Sequence, residues 1–120
     1  MAQSAIMFSW GAAVVGREAM GLGVFSSALQ YFNDLKQKGQ IEDIRAYISD
    51  SGDIGVNAGF MAVEGSTAQI AAMTERSDYQ VLVVKAAHVV TNMRVTPTAT
   101  GELVMKKIEQ LQIARKELGI

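Results

Sequence analysis

The stretch Ser77-Asp78-Tyr79-Gln80-Val81-Leu82-Val83-Val84-Lys85-Ala86-Ala87-His88 decides the fold. Its centre, Val81–Val84, is a β-prone run, and a strand is the competing reading there. Ser77 followed three residues later by Gln80 has the pattern of a capping box, in which two side chains satisfy the first free amides of a helix. That pattern and the helix-forming Lys85-Ala86-Ala87 predict a helix over Asp78–His88.

Upstream, Ser66 or Thr67 opens a short helix carrying Ile70, Ala71 and Met73, so the second helical layer is split in two. Before it, Asp43–Ser49 alternates Ile44, Ala46 and Ile48 against Arg45, Tyr47 and Ser49, as a strand does. Asp50-Ser51-Gly52-Asp53 is turn chemistry and Val56–Val63 reads as the returning strand of a hairpin. Gly59 inside it predicts a bulge or the close approach of a bulky neighbour. Further back, a helix over Arg17–Lys38 carries Leu22, Phe25, Leu29, Phe32 and Leu35 at helical spacing, with Gly39 closing it. Ser4–Trp10 is the first strand, with Ile6, Phe8 and Trp10 on one face and Ala5, Met7 and Ser9 on the other. Downstream, Val89–Pro97 reads as the fourth strand, with Pro97 at its edge or end. From Gly101 a charged amphipathic helix follows, with Val104, Ile108, Leu111 and Leu118 expected inward. This order is that of an α+β, ferredoxin-like split βαβ fold: a four-stranded antiparallel sheet, a split second helix and an extra C-terminal helix. Both sheet faces read as apolar, and two helical layers cover one of them. A homodimer packing sheet against sheet, or the C-terminal helix, would cover the other.

The 120 residues make one domain, 1–120, and 11 Lys+Arg nearly balance 12 Asp+Glu. That balance argues against nucleic acid, which demands a concentrated basic face. Lys106, Lys107, Arg115 and Lys116 are interleaved with Glu102, Glu109 and Glu117, as on a solvated helix face. The absence of cysteine excludes disulfides, thiol nucleophiles and Fe–S clusters, and suits a cytoplasmic protein. No stretch approaches the roughly 20 apolar residues that span a bilayer.

Several of these residues, taken together, resemble a known group. Trp10-Gly11, Gly16-Arg17-Glu18, the Tyr31 helix ending at Gly39 and the Gly59-Phe60 strand look like a group of uncharacterised bacterial proteins of the dimeric α/β-barrel superfamily, which has a ferredoxin-like fold. Asp78-Tyr79-Gln80, Ala86-Ala87 and Gly101-Glu102 fit the same layout, so the resemblance covers almost the whole chain. It implies a homodimer whose two sheets form a barrel-like core. It implies no single reaction, because the wider superfamily includes cofactor-independent monooxygenases, haem proteins, isomerases and proteins without known chemistry.

Candidate chemistry is sparse. His88, the single histidine, is the side chain that titrates near neutrality, and it stands at a helix end where the dipole favours its charge. General base, haem ligand and plain helix-end residue are its three readings. Arg17 offers a bidentate partner for a carboxylate or enolate oxygen, with Trp10 as a stacking face beside it. Arg45 and Tyr47 share a face of the second strand, with Asn57 expected opposite, and on an enclosed sheet face they would line a cavity. Gly21-Leu22-Gly23-Val24-Phe25-Ser26 imitates a dinucleotide fingerprint but lacks its strand–helix context. No metal site is expected, since the chain offers one histidine and scattered carboxylates. The expectation is a homodimer binding a small apolar or weakly anionic molecule between its sheets through Trp10, Arg17, Arg45, Tyr47 and Asn57. Any catalysis would be cofactor-independent, with Arg17, Tyr47 and His88 as candidates. The alternative is a non-catalytic self-association or regulatory interaction module.

Overall fold

The computed structural model describes residues 2–53 and 55–120. Four strands, β1 (Ser4–Trp10), β2 (Asp43–Ile48), β3 (Gly59–Gly65) and β4 (Arg94–Ala99), form one antiparallel sheet in the order β2-β3-β1-β4. Helix α1 (Glu18–Gln37) links β1 to β2, α2 (Thr67–Thr74) and α3 (Ser77–Val89) link β3 to β4, and α4 (Leu103–Leu118) follows β4. This is the split βαβ arrangement with its second helix in two pieces.

Val81–Val84 is helical because the segment's apolar residues fall at helical intervals. Tyr79, Leu82, Val83, Ala86 and Val89 turn inward, while Val81 and Val84 are exposed. Burial of one helical face overrides β-propensity. The Ser77–Gln80 capping box does not form: Arg76 is the N-cap and no side chain caps α3. The capping box belongs to α2, where Gln69 N–H donates to Ser66 Oγ at 3.1 Å and Ser66 N–H donates to Gln69 Oε1 at 2.8 Å. Helix α1 ends in a Schellman turn, with Gln40 N–H on the Leu35 carbonyl at 2.9 Å and Gly39 N–H on the Lys36 carbonyl at 3.0 Å. Gly39 stands there at φ +72°, a conformation in which a side chain is strained.

Two strand boundaries differ from the expectation. β3 begins at Gly59 rather than Val56, because residues 55–58 form a turn whose Asn57 N–H donates to the Asp53 carbonyl at 2.8 Å. β4 begins at Arg94 rather than Val89, since Val89 completes α3 and Val90 makes an isolated bridge to Ala13. Pro97 lies within β4, opposite Ile6, on an edge strand that tolerates its missing N–H. The register across Gly59 is unbroken, so it marks a close approach: an added Cβ would lie 2.8 Å from the Trp10 ring and 2.8 Å from the Tyr47 carbonyl.

Register divides the sheet into two unlike faces. Ile6, Phe8 and Trp10 stand opposite Val63, Met61 and Gly59, and this face meets the helices. The core there joins Phe8, Phe32 and Tyr79, whose rings lie 5.7–6.4 Å apart, to Leu35, Ile41, Ile70 and Met73. The opposite face carries the rows Tyr47–Phe60–Ser9–Arg94, Arg45–Ala62–Met7–Thr96 and Asp43–Glu64–Ala5–Thr98. It is mixed rather than apolar, which corrects the reading of two greasy faces. Helix α4 does not cover it as part of the core either. No α4 residue is buried, and the Val104, Ile108, Leu111 and Leu118 expected inward are all exposed.

Candidate functional site

The concavity of the fold lies on the helix side of the sheet. Between β1, α1 and α3 the packing leaves a cavity of about 360 Å³, lined by Phe8, Trp10, Phe25, Met61, Leu82 and Val83 among others. Its walls follow from chain geometry. Phe8 and Trp10 are successive residues on one strand face, Phe25 and Phe32 lie seven apart on α1, and Leu82, Val83 and Ala86 share a face of α3. Small residues keep it open: Gly21, Ala28, Ala58 and Ala86 all line it. The far end is closed where the loop after β1 pairs with the chain leaving α3. Val14 N–H donates to the Val89 carbonyl at 2.9 Å, Gly11 N–H to that of Thr91 at 2.7 Å and Thr91 N–H to that of Ala12 at 2.9 Å. Gly11 allows this closure, because a Cβ there would overlap the Gly55 carbonyl. Leu22, 72% exposed, marks the mouth, and Glu18 stands there as the charged residue among the described lining residues.

The residues singled out in the sequence fall in four places. Trp10 lines the cavity, with its ring 5.7 Å from that of Phe25. Arg17 and His88 meet at the junction of α1 and α3, where Arg17 Nη1 donates to the His88 carbonyl at 2.7 Å. The His88 ring is occupied by its own helix: Nδ1 lies 2.8 Å from the Val84 carbonyl, which can only accept, so Nδ1 carries the hydrogen. That ring borders a separate groove between α1 and α3, shared with Met20, Val24 and Lys85.

Arg45 and Tyr47 lie on the open sheet face, away from the cavity. Tyr47 stacks on Phe60 with centroids 4.6 Å apart. Arg45 Nε is held between Asp43 Oδ2 at 3.3 Å and Glu64 Oε2 at 3.7 Å, and Asp43 chiefly raises its pKa. Asp43 is lowered in turn, first by its hydrogen bond from Lys36. Asn57 is not opposite Tyr47, whose cross-strand neighbour is Phe60, but in the preceding turn, where its carbonyl accepts from Ser49 Oγ at 2.8 Å. Within one chain, then, Arg17 and His88 are brought together and Tyr47 is not.

Sequence reading missed a polar cluster at the start of α3. Arg76 grips Asp78 through Nε–Oδ1 at 3.0 Å and Nη2–Oδ2 at 2.9 Å, and Tyr31 Oη donates to Asp78 Oδ1 at 2.8 Å. The Arg76 guanidinium, then the Tyr31 hydroxyl, hold the Asp78 carboxyl well below the usual carboxylate range. Burial first, and Asp78 second, push the Tyr31 hydroxyl up. The cluster pins α1 to α3. Arg76 and Asp78 two apart in sequence were its visible signal, but Tyr31 comes from 47 residues away.

Among the described residues no group of three or more His, Cys, Asp or Glu side chains is placed to hold a metal. Among them, too, no helix is long and apolar enough to cross a membrane. No family model matches the sequence, and no curated protein does. The fold is nevertheless shared with a solved structure: a dimeric protein of unknown function and ferredoxin-like fold from Bacteroides fragilis NCTC 9343. That structure is similar with a TM-score of 0.58 at 9% identity, over 81% of this chain and 96% of that one. The chain thus has a ferredoxin-like fold, with α4 as an addition after the fourth strand.

Proposed function

We propose that this protein is a homodimeric ferredoxin-like binding protein that takes a neutral, apolar small molecule into the cavity between sheet and helices. The observation that carries the reading is the cavity's lining, apolar side chains from β1, β3, α1 and α3 around about 360 Å³, a size within the range of small-molecule sites. The cavity has no cationic lining residue among those described, and its charged one is Glu18, so an anionic ligand has no counter-charge there. This moves the ligand from between two sheets to the helix side and keeps the apolar alternative over the weakly anionic one. Arg17, Arg45, Tyr47, Asn57 and His88 do not line the space, which favours binding over catalysis. The dimeric state of the similar Bacteroides fragilis protein supports the homodimer.

Trp10 is the chain's single tryptophan and lines the cavity, so its fluorescence reports occupancy. Titration with the neutral apolar probe N-phenyl-1-naphthylamine is expected to quench Trp10 as probe emission rises. Ala86→Phe, which fills the space, is expected to weaken binding at least about tenfold. Wild-type protein that leaves the probe free at saturating concentration sinks the reading.

A further inference from the structure

Helix α4 buries no side chain in its own chain. Its sequence nevertheless aligns Val104, Ile108, Leu111 and Leu118 along one stripe. Exposure along it rises from 41% and 39% at Val104 and Ile108 to 66% and 72% at Leu111 and Leu118. The stripe therefore starts beside the body and runs out past it. The molecule is correspondingly elongated: its radius of gyration is 16.2 Å, against about 14 Å for a compact chain of this length.

The launch of α4 is built rather than slack. Thr100 N–H donates to the Gln3 carbonyl at 3.0 Å, and Val104 N–H to the Gly101 carbonyl at 3.2 Å. Gly101 sits at φ +58° with the Ala2 carbonyl oxygen 2.5 Å from where a Cβ would stand, so both conformation and space require glycine. The far end closes on Gly119 at φ +74°, with Ile120 N–H on the Arg115 carbonyl at 3.1 Å. A helix of this length is marginal in water without a surface to pack on. One with both ends shaped and an apolar stripe takes its cover from outside its own chain.

We propose that α4 packs the Val104–Leu118 stripe on a second copy of this chain, as part of the homodimer interface. The inference rests on the homodimer reading above and says which element completes it. Area is the argument for a second copy. The open sheet face spans roughly 19 by 20 Å, about 400 Å², half of the ~800 Å² per partner usual in stable dimers. Arg45, Asp43, Glu64 and Arg94 make much of that face polar. A helix of 16 residues is about 24 Å long and about 10 Å wide, which brings the patch to about 640 Å², most of the way to that size, and supplies the apolar component that the sheet lacks. α4 also leaves directly from β4, the edge strand of that sheet, so the two patches adjoin.

Size-exclusion chromatography with light scattering on the full chain and on Ile108→Glu/Leu111→Glu is the test. The wild type is expected as a dimer, and the variant is expected to raise the dimer dissociation constant at least about a hundredfold. Its far-UV circular dichroism should lose no more than the contribution of α4, since neither side chain is buried in the protomer body. A monomeric wild type overturns both the homodimer and this proposal. A dimeric wild type with an equally tight variant overturns the role of α4 alone. Cross-linking a mixture of heavy- and light-isotope chains through amines supplies a readout that needs no variant. Mixed-isotope links that include Lys106, Lys107 or Lys116 are expected, and links from these lysines confined to one isotope overturn the proposal.

Discussion

Arg17 and His88, 71 residues apart in sequence, meet through a single hydrogen bond of 2.7 Å from the Arg17 guanidinium to the His88 main-chain carbonyl. The contact joins the first residue before α1 to the last turn of α3. A cation on a C-terminal carbonyl also answers the negative end of the α3 dipole. Two of the three catalytic candidates of the sequence thus meet in a contact that ties α1 to α3, with the His88 main chain rather than its ring as the acceptor.

Replacing Arg17 should therefore act on stability. Arg17→Ala is expected to cost about 1 kcal/mol, the scale of one solvent-accessible charge-assisted hydrogen bond, and to lower Tm by about 4 °C. Thermal denaturation followed by circular dichroism checks it, and probe affinity in the cavity should stay within about twofold. A variant with wild-type Tm would remove the tether from the account.

Gly59→Ala places a methyl group against the Trp10 ring and the Tyr47 carbonyl, both 2.8 Å from the new Cβ. One neighbour is main chain in the adjacent strand, so the clash is not relieved by a rotamer change. A loss of about 1–3 kcal/mol in urea denaturation is expected, together with a shift of the Trp10 emission maximum. Unaltered stability and emission would show that the strand has room.

Acid should weaken the α1–α3 clamp. The Asp78 carboxyl titrates below its ordinary value of 3.8 in the folded chain, held down first by Arg76. Its contribution is thus complete above that ordinary value and is lost as pH falls through the lower folded one. The urea midpoint should fall as pH drops below about 4, and Asp78→Asn should flatten that decline. The same slope in wild type and variant would place the acid sensitivity elsewhere.

Two α1 positions that look alike in the sequence should behave differently. Phe32, 2% exposed, packs on Phe8 and Tyr79, and Phe32→Ala is expected to cost about 3–5 kcal/mol. Leu22 at the cavity mouth is 72% exposed, and Leu22→Ser should change stability by less than about 0.5 kcal/mol. Equal losses would mean that Leu22 has a partner.

The legibility of the fold and that of the site differ for a physical reason. Ser4–Trp10 was readable as a strand to the residue, and α1 to within a residue at each end, because alternation, helical spacing and the Gly39 turn are local properties of the chain. Val81–Val84 read as helix on a cap at Ser77, which does not form, and on Lys85-Ala86-Ala87, with a strand still open; burial of Tyr79, Leu82, Val83 and Ala86 is what makes it helical. The site was not legible in this way. Its best sequence signals were single polar residues, and a lone Arg or His carries no record of whether its partner is a ligand or a carbonyl. Trp10 alone of the candidates lines the cavity.

By itself, then, the sequence determined the kind and order of the elements and the split second helix, since each depends on neighbours along the chain; at Gly59 it left a bulge and a close approach open, and the packing of Trp10 and Tyr47 chose the second. Tertiary structure decided which apolar faces find cover and where they fail to fill space. Leu22 and Phe32 belong to the same helical stripe, yet one marks the mouth of a cavity and the other is core. The α4 stripe has the same pattern as a core helix and has no core beneath it. Amphipathic spacing fixes where a side chain points along its own element, while burial depends on what other segments bring to meet it.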